Sequence, residues 1–217
     1  KEIKEGTAVY TKNGEEDTLD GDAILLATGR GPNTEGLHAE RAGVELTKRG
    51  AVVTDKHLRT TAENIWAAGD VCGNLQFTYI SLDDSRIILS DMQGDGSRTT
   101  ENRGAFAYSV FMEPSFSRAG LSEKEAADKG LNYRVVRMNT DMIPKAKVLR
   151  KTAGMLKAVI DKDSGKILGA ALFCPESYEI INMVKLAMDH DLDYTVLRDF
   201  IYTHPTMSEG LNDLFAL

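Results

Sequence analysis

The sequence predicts an α/β region followed by an α+β domain, and three observations lead to this fold class. Residues 23–27 form a continuous apolar run, which is typical of a strand buried on both faces of a mostly parallel sheet. Beyond about residue 105, the predicted strands are joined by turns, and helices follow the strands instead of alternating with them. Polar and flexible residues cluster at 94–105, where we place the boundary between the two regions.

Composition and charge exclude several classes of protein. The chain has 217 residues, 42% of them hydrophobic, so it can build a substantial core. Its net charge of −7 argues against nucleic acid and against an anionic membrane surface as partners. No apolar run has the length of a membrane span, and the charged opening segment does not resemble a signal peptide. The two cysteines, Cys72 and Cys174, lack metal-binding spacing, which predicts reduced thiols, no metal site and a cytoplasmic location.

The first half of the chain is predicted to contain strands, short β-segments and one helix. Strands joined by tight turns occupy 1–27, with a hairpin signal at Asn13-Gly14. The strand at 23–27 stops where glycine and proline enter at 28–33. Short β-segments at 43–47 and 50–54 come next, then a strand that ends at Asp70 and a helix over 79–92.

The second half is predicted to be a hairpin-linked sheet with helices. Strands at 108–112 and 116–120 precede a helix that Ser122 and Glu125 begin as a capping box and that Gly130 ends. The remaining predicted elements are strands at 133–139, 154–161 and 166–173, and helices over 177–189, over 194–199 and from about Met207.

The most informative segment of the chain is 60–70. It is a short apolar run that ends in Ala67, Ala68 and Gly69, and the carboxylate of Asp70 follows. Small residues let a ligand or another backbone approach closely, and ligands of open α/β sheets bind beyond the carboxyl ends of the strands. Asp70 could therefore accept a hydrogen bond from a polyol or ribityl hydroxyl, although an aspartate after a strand is also a common helix N-cap.

A second candidate site lies near the end of the chain. His204 and Glu209 could form an acid–base pair in which the carboxylate orients the imidazole ring. The alternative is purely structural, because Thr206 and Glu209 have the spacing of a capping box and Pro205 fixes the entry to a helix.

Two further segments could contact a ligand. Thr28, Gly29 and Arg30 follow the predicted buried strand, where glycine permits close approach, although a plain turn explains them equally well. Phe77 and Thr78 precede the helix over 79–92, whose first N–H groups favour an electron-rich partner. The alternative for this second segment is an ordinary helix start with Thr78 as its cap.

The segment Thr60 to Val71 resembles the flavin-binding segment of the class I FAD-dependent pyridine nucleotide-disulfide oxidoreductases, which include glutathione reductase, dihydrolipoamide dehydrogenase and mercuric reductase. The resemblance implies that Asp70, after Gly69, hydrogen-bonds the ribityl chain of FAD. It also implies that residues 27–33, with Thr28, Gly29 and Arg30, form the crossover from the NAD(P)H domain to the FAD domain. The helix after Phe77 and Thr78 would point at the pyrimidine edge of the flavin.

The segment His204-Pro205-Thr206 with Glu209 is similar to the catalytic His–Glu motif of the same family. This implies that His204 reaches into the active site of the second subunit of a homodimer and handles a thiol proton. The chain has Met207 where the family often has leucine, and Tyr202-Thr203 where many members have a further histidine. Residues 75–84 and 209–215 resemble the bacterial reactive-chlorine-resistance branch, which is grouped with mercuric reductase-like enzymes.

The resemblance also gives a domain organisation. It assigns 1–27 to the remnant of an NAD(P)H-binding domain, 28–100 to the C-terminal half of an FAD-binding domain, and 105–217 to a dimerisation (interface) domain. The sequence contains no Gly-x-Gly-x-x-Gly motif and no Cys-x-x-x-x-Cys dithiol, which the family requires. We therefore expect the chain to be the C-terminal part of a longer flavoenzyme and to be inactive by itself.

The expected activity of that longer enzyme is electron transfer from NAD(P)H through FAD to a disulfide, a metal ion or another small oxidant. Two alternatives remain open. The chain could be a non-catalytic homodimerisation module with a vestigial FAD half-site, or an unrelated α/β binding protein whose matches are coincidental.

Overall fold

The computed structural model describes residues 2–4 and 6–217, and the chain divides into two compact units, Lys1–Arg98 and Thr99–Leu217. The predicted strand region 1–27 includes positions 1 and 5, which lie outside the described residues. The strands are β1 (Glu2–Lys4), β2 (Thr7–Lys12), β3 (Glu15–Asp20), β4 (Ala107–Val110), β5 (Phe116–Gly120), β6 (Tyr133–Asn139), β7 (Met155–Asp161) and β8 (Ile167–Phe173). The helices are α1 (Thr78–Gln93), α2 (Glu123–Asp128), α3 (Pro144–Leu149), α4 (Ser177–Asp189), α5 (Thr195–Asp199) and α6 (Gly210–Ala216).

The first unit begins with an antiparallel sheet in the order β1-β2-β3. The predicted hairpin at Asn13-Gly14 is confirmed, because both residues have positive φ and connect β2 to β3. Positive φ at two consecutive turn residues matches the right-handed twist of the flanking strands.

The predicted buried strand at 23–27 is wrong. These residues form no strand, and Leu25 and Leu26 are 89% and 69% exposed. A strand buried on both faces needs hydrogen-bonded neighbours and helices on each face. The sheet β1-β2-β3 ends at Asp20 and provides neither.

The segment before Asp70 is also less regular than predicted. A continuous strand is replaced by isolated bridges, Thr54 to Thr60 and Arg59 to Trp66. Asp70 itself lies in a short 3-10 turn, Gly69–Cys72. The positive φ of 75° at Gly69 ends any extended conformation there.

The second unit is a five-stranded antiparallel sheet in the order β4-β5-β8-β7-β6. Helix α4 packs on β4, β5 and β8, and helix α6 packs on β6 and β7. Strand β5 alternates between buried and partly buried positions, as a sheet covered by helices on one face requires. The largest fully buried side chains of this unit are Met138, Ile143, Leu156, Ile160, Leu172, Ile180, Met207, Leu211, Leu214 and Phe215.

Most predicted elements of the second unit are confirmed, and with them its α+β class. The capping box is present: Ser122 Oγ accepts the N–H of Glu125 at 3.1 Å, and Glu125 accepts the N–H of Ser122 at 2.7 Å. Helix α3 was not predicted, because its six residues are too few to show a helical periodicity. Within the residues described, no helix combines the length and apolar character that a membrane crossing needs.

A chain of serine hydroxyls joins α4 to the edge of this sheet. Ser109 and Ser117 lie 2.8 Å apart, Ser117 and Ser177 also 2.8 Å, and Ser177 donates to Ser115 at 2.8 Å. Ser115 in turn donates to the carbonyl oxygen of Cys174 at 3.1 Å. Because each hydroxyl has one hydrogen, the bonds run in one direction, from Ser109 to the Cys174 carbonyl. Ser117 and Ser177 are fully buried, so these bonds satisfy groups that water cannot reach.

We expect Ser117→Ala to lower the free energy of unfolding by about 1–2 kcal/mol, because it leaves a buried hydroxyl of Ser177 without its donor. Ser109→Ala is the matched control and should cost less than Ser117→Ala, because it removes one bond at the partly buried end of the chain, whereas Ser117→Ala removes two. Urea unfolding followed by far-UV circular dichroism measures both values. Equal losses in the two variants would contradict the directional chain.

Candidate functional site

Asp70 is held in a turn that leaves its carboxylate accessible. Its side chain is 50% exposed, and Arg30 Nη1 lies 3.9 Å from Asp70 Oδ2. Asp70 is not the N-cap of a helix, because α1 begins eight positions later with Phe77 at its N-cap. The carboxylate oxygens are therefore available to accept hydrogen bonds from a ligand hydroxyl.

Helix α1 lies directly against the turn that contains Asp70. The N–H of Gly69 donates to Asp84 Oδ2 at 2.8 Å. A Cβ atom at position 69 would lie 2.8 Å from Ser81 Oγ, and the φ of 75° also disfavours residues other than glycine there. Gly69 is predicted to permit a close approach to the chain, and in the structure it permits the close approach of α1.

The start of α1 is not capped by a side chain. Phe77 occupies the N-cap position without a side-chain hydrogen bond, so the alternative in which Thr78 caps the helix is wrong. The positive dipole end and the first N–H groups of this 16-residue helix lie next to Phe77 and Thr78. Burial raises the pKa of Tyr79 to about 12, so its phenol stays protonated at neutral pH.

The predicted ligand contacts of the first unit are only partly brought together. Arg30 approaches Asp70, whereas Thr28 and Gly29 lie in an exposed loop. Gly29 has a φ of 97°, and a Cβ added there would meet no atom within 4 Å. Its glycine is explained by backbone conformation and not by a close contact within the described chain.

In the second unit, His204 and Glu209 are hydrogen-bonded. His204 Nδ1 lies 2.8 Å from Glu209 Oε2, while Glu209 Oε1 accepts the N–H of Thr206 at 3.1 Å. Thr206 Oγ1 accepts the N–H of Glu209 at 3.3 Å, which completes a capping-box arrangement before α6. Glu209 therefore contacts Thr206 and His204 at the same time, with one oxygen for each contact.

Exposure differs between the two partners. The His204 side chain is 67% exposed, whereas that of Glu209 is 17% exposed. Since Nδ1 faces Glu209, the other ring nitrogen, Nε2, faces away from the carboxylate. The arrangement can hold an imidazole in one orientation and present Nε2 for proton transfer.

The segment that leads to His204 is anchored to α6. Asn212 Nδ2 donates to the carbonyl oxygens of Arg198 at 2.7 Å and Phe200 at 2.9 Å. Tyr202 donates its hydroxyl to the carbonyl oxygen of Leu197 at 3.2 Å, and burial raises the pKa of Tyr202 to about 12. Tyr202 therefore remains a neutral donor at physiological pH and does not replace a histidine as an acid–base group.

Sequence reasoning missed two buried carboxylates on α1. Asp84 accepts the N–H of Gly69. Asp91 accepts hydrogen bonds from Arg59 Nη2 at 2.6 Å, from Arg59 Nε at 2.7 Å and from Trp66 Nε1 at 2.9 Å. The Arg59 guanidinium holds the pKa of Asp91 below its usual range. The helical spacing of Ile80, Asp84, Ile87 and Asp91 in the sequence could have revealed these carboxylates, because it places two aspartates on the apolar face of the helix.

Comparison with known proteins identifies two matching family profiles. Residues 106–215 match the pyridine nucleotide-disulphide oxidoreductase dimerisation domain, and residues 1–85 match the pyridine nucleotide-disulphide oxidoreductase profile. Among curated proteins, the chain is 53% identical over 196 residues to the probable pyridine nucleotide-disulfide oxidoreductase RclA of Escherichia coli, which covers 90% of this chain and 44% of that protein. It is 35% identical over 207 residues to the mercuric reductase of Staphylococcus aureus, covering 94% of this chain and 38% of that enzyme.

A solved structure shows the same fold. The Cu(II) complex of the HOCl-induced flavoprotein disulfide reductase RclA from Escherichia coli superposes with a TM-score of 0.91 at 48% identity, covering 99% of this chain and 48% of that one. The chain thus spans less than half the length of these relatives. The family expected from the segments around Asp70 and His204 is confirmed, and the chain belongs to the pyridine nucleotide-disulphide oxidoreductases.

Proposed function

We propose that the full-length protein is an FAD-dependent oxidoreductase that passes electrons from NAD(P)H through FAD to a disulfide, a metal ion or another small oxidant. The observation that carries the proposal is the accessible carboxylate of Asp70 on a turn packed against α1, whose start lacks a side-chain cap. The relatives include a mercuric reductase and a flavoprotein disulfide reductase solved as its Cu(II) complex. Their names support a disulfide or a metal ion as the acceptor.

The residues of the first unit fit a flavin. Asp70 offers an exposed acceptor for a ribityl hydroxyl, with Gly69 supplying the turn. The start of α1 at Phe77 and Thr78 offers N–H groups and a positive dipole end to the electron-rich edge of the ring. Thr28, Gly29 and Arg30 remain proposed contacts, supported by the distance from Arg30 to Asp70.

In the proposed reaction, the cofactors would carry the electrons and the second unit would handle the proton. Asp70 and the start of α1 would hold FAD, which would supply two-electron redox chemistry between the nicotinamide and the acceptor. His204 would take or return a thiol proton at Nε2, while Glu209 holds the ring through Nδ1. Glu209 is thus a positioning residue, and His204 is the acid–base group.

The proposed organisation follows the family. The segment 1–27 belongs to the NAD(P)H-binding domain, 28–100 to the FAD-binding domain and 105–217 to the dimerisation domain. The match to a dimerisation-domain profile supports a homodimer formed through 105–217. The cytoplasmic location remains a prediction.

In the full-length protein, we expect Asp70→Ala to raise the dissociation constant for FAD about 10- to 100-fold, since a hydrogen bond to a charged group contributes about 1.5–3 kcal/mol. Titration of the apoprotein with FAD, followed by flavin fluorescence, measures the effect. Glu63→Ala removes an exposed carboxylate in the same segment and should leave the affinity unchanged. Unchanged affinity in Asp70→Ala would remove Asp70 from the flavin site.

We expect His204→Ala to slow reduction of a disulfide substrate about 10²- to 10⁴-fold, the usual contribution of a positioned acid–base group. Reduction of the flavin by NAD(P)H should keep its rate, because that step needs no thiol proton. Stopped-flow absorbance separates the two steps, and His190→Ala provides an exposed histidine control. Slower flavin reduction in His204→Ala would contradict the acid–base role.

The alternative is that the 217-residue chain acts by itself only as a homodimerisation module. The second unit favours this, because it has its own hydrophobic core. If so, the purified chain should be colourless, fail to retain added FAD and elute as a dimer in size-exclusion chromatography with light scattering. Retention of FAD by the isolated chain would exclude a vestigial half-site.

A further inference from the structure

Asp84 is a buried carboxylate that the proposed chemistry does not use. It lies on the apolar face of α1, between Ile80 and Ile87, and is 3% exposed. Its Oδ2 accepts the N–H of Gly69 at 2.8 Å. Burial of a carboxylate is costly unless it is hydrogen-bonded, so the bond to Gly69 offsets part of that cost.

The bonded group is the backbone of the residue that precedes Asp70. Gly69 begins the 3-10 turn Gly69–Cys72, which has no side-chain cap of its own because Ala68 precedes it. Asp84 supplies from α1 an acceptor for one of the N–H groups that the first residues of a helical turn leave without an intrahelical partner. The donor is a backbone N–H and the acceptor is a carboxyl oxygen, a pairing that is among the stronger hydrogen bonds when the carboxyl is ionised.

A second residue of α1 also lies against Gly69. Ser81, one turn before Asp84, lies so close to Gly69 that an added Cβ would be 2.8 Å from its Oγ. The position of Gly69 is therefore fixed by one hydrogen bond and one close packing contact, both from the same helix. Asp70 follows directly, so the placement of its carboxylate depends on these contacts.

We propose that Asp84 is a positioning residue of the flavin site, whose bond to Gly69 fixes the Asp70 carboxylate relative to the start of α1. The inference rests on the proposed function, in which Asp70 and the start of α1 both contact the flavin. One buried carboxylate would then set the spacing between the two contacts. Asp84 itself touches no flavin atom in this scheme and acts through Asp70.

The test uses the full-length protein with Asp84→Ala, Asp84→Asn, Asp70→Ala and the double variant Asp70→Ala/Asp84→Ala. We expect Asp84→Ala to raise the dissociation constant for FAD about 10- to 100-fold, as loss of a hydrogen bond to a charged group predicts. Asp84→Asn keeps a neutral acceptor and should raise it only about 3- to 10-fold. The double variant should bind FAD within about threefold of Asp70→Ala alone, because Asp84 acts through Asp70.

The matched control is Asp83→Ala, on the same helix. Asp83 pairs with Arg98, away from Gly69, so its loss should lower the melting temperature without changing FAD affinity. A purely structural role of Asp84 would give the same pattern in Asp84→Ala, and that result would overturn the proposal. Additive effects in the double variant would overturn it as well.

The outcomes separate this inference from the proposed function. A wild-type protein that binds no FAD overturns both. Weakened binding in Asp70→Ala with normal binding in Asp84→Ala overturns only the role of Asp84. If Asp84→Ala does not fold, Asp84→Asn decides: hydrogen exchange at the Gly69 amide should accelerate together with the loss of FAD affinity, and acceleration with unchanged affinity overturns the proposal.

Discussion

Buried polar groups must find hydrogen-bond partners, and this requirement determines the local geometry of both units. In the first unit, the buried carboxylate of Asp84 is paired with the N–H of Gly69, which fixes the turn before Asp70. In the second unit, the serine hydroxyls from Ser109 to Ser115 and the amide of Asn212 join helices to the sheet edge and to a loop. An unsatisfied buried group costs about 1–3 kcal/mol, so each of these bonds excludes alternative local arrangements.

Carboxylate side chains take contrasting roles in this chain because their surroundings differ. Asp70 is half exposed and lies near Arg30, so its carboxylate is accessible from solvent. Asp84 and Asp91 lie on the packed face of α1 and serve the backbone and the Arg59 side chain. Glu209 serves the backbone and a side chain at once, because one oxygen accepts the N–H of Thr206 and the other orients the His204 ring. Exposure and partners, not residue type, separate an accessible carboxylate from one that is engaged within the protein.

Sequence patterns predicted the second unit better than the first. Strands β6, β7 and β8, helix α4 and the Ser122–Glu125 capping box lie where predicted, because hairpin turns and local caps depend on nearby residues. The predicted strands at 23–27 and before Asp70 failed. A buried strand depends on distant neighbours that pair with it, and its apolar composition does not supply them.

The sequence by itself determined the family and the approximate places of most helices and strands, and it selected Asp70 and His204 as candidate site residues. It did so because motifs and turns are local properties of the chain. Only the tertiary structure decided that Glu209 contacts Thr206 and His204 at once, that Asp70 caps no helix, and that Asp84 holds Gly69. The last contact joins residues fifteen positions apart, and whether such groups meet depends on how α1 packs against the turn.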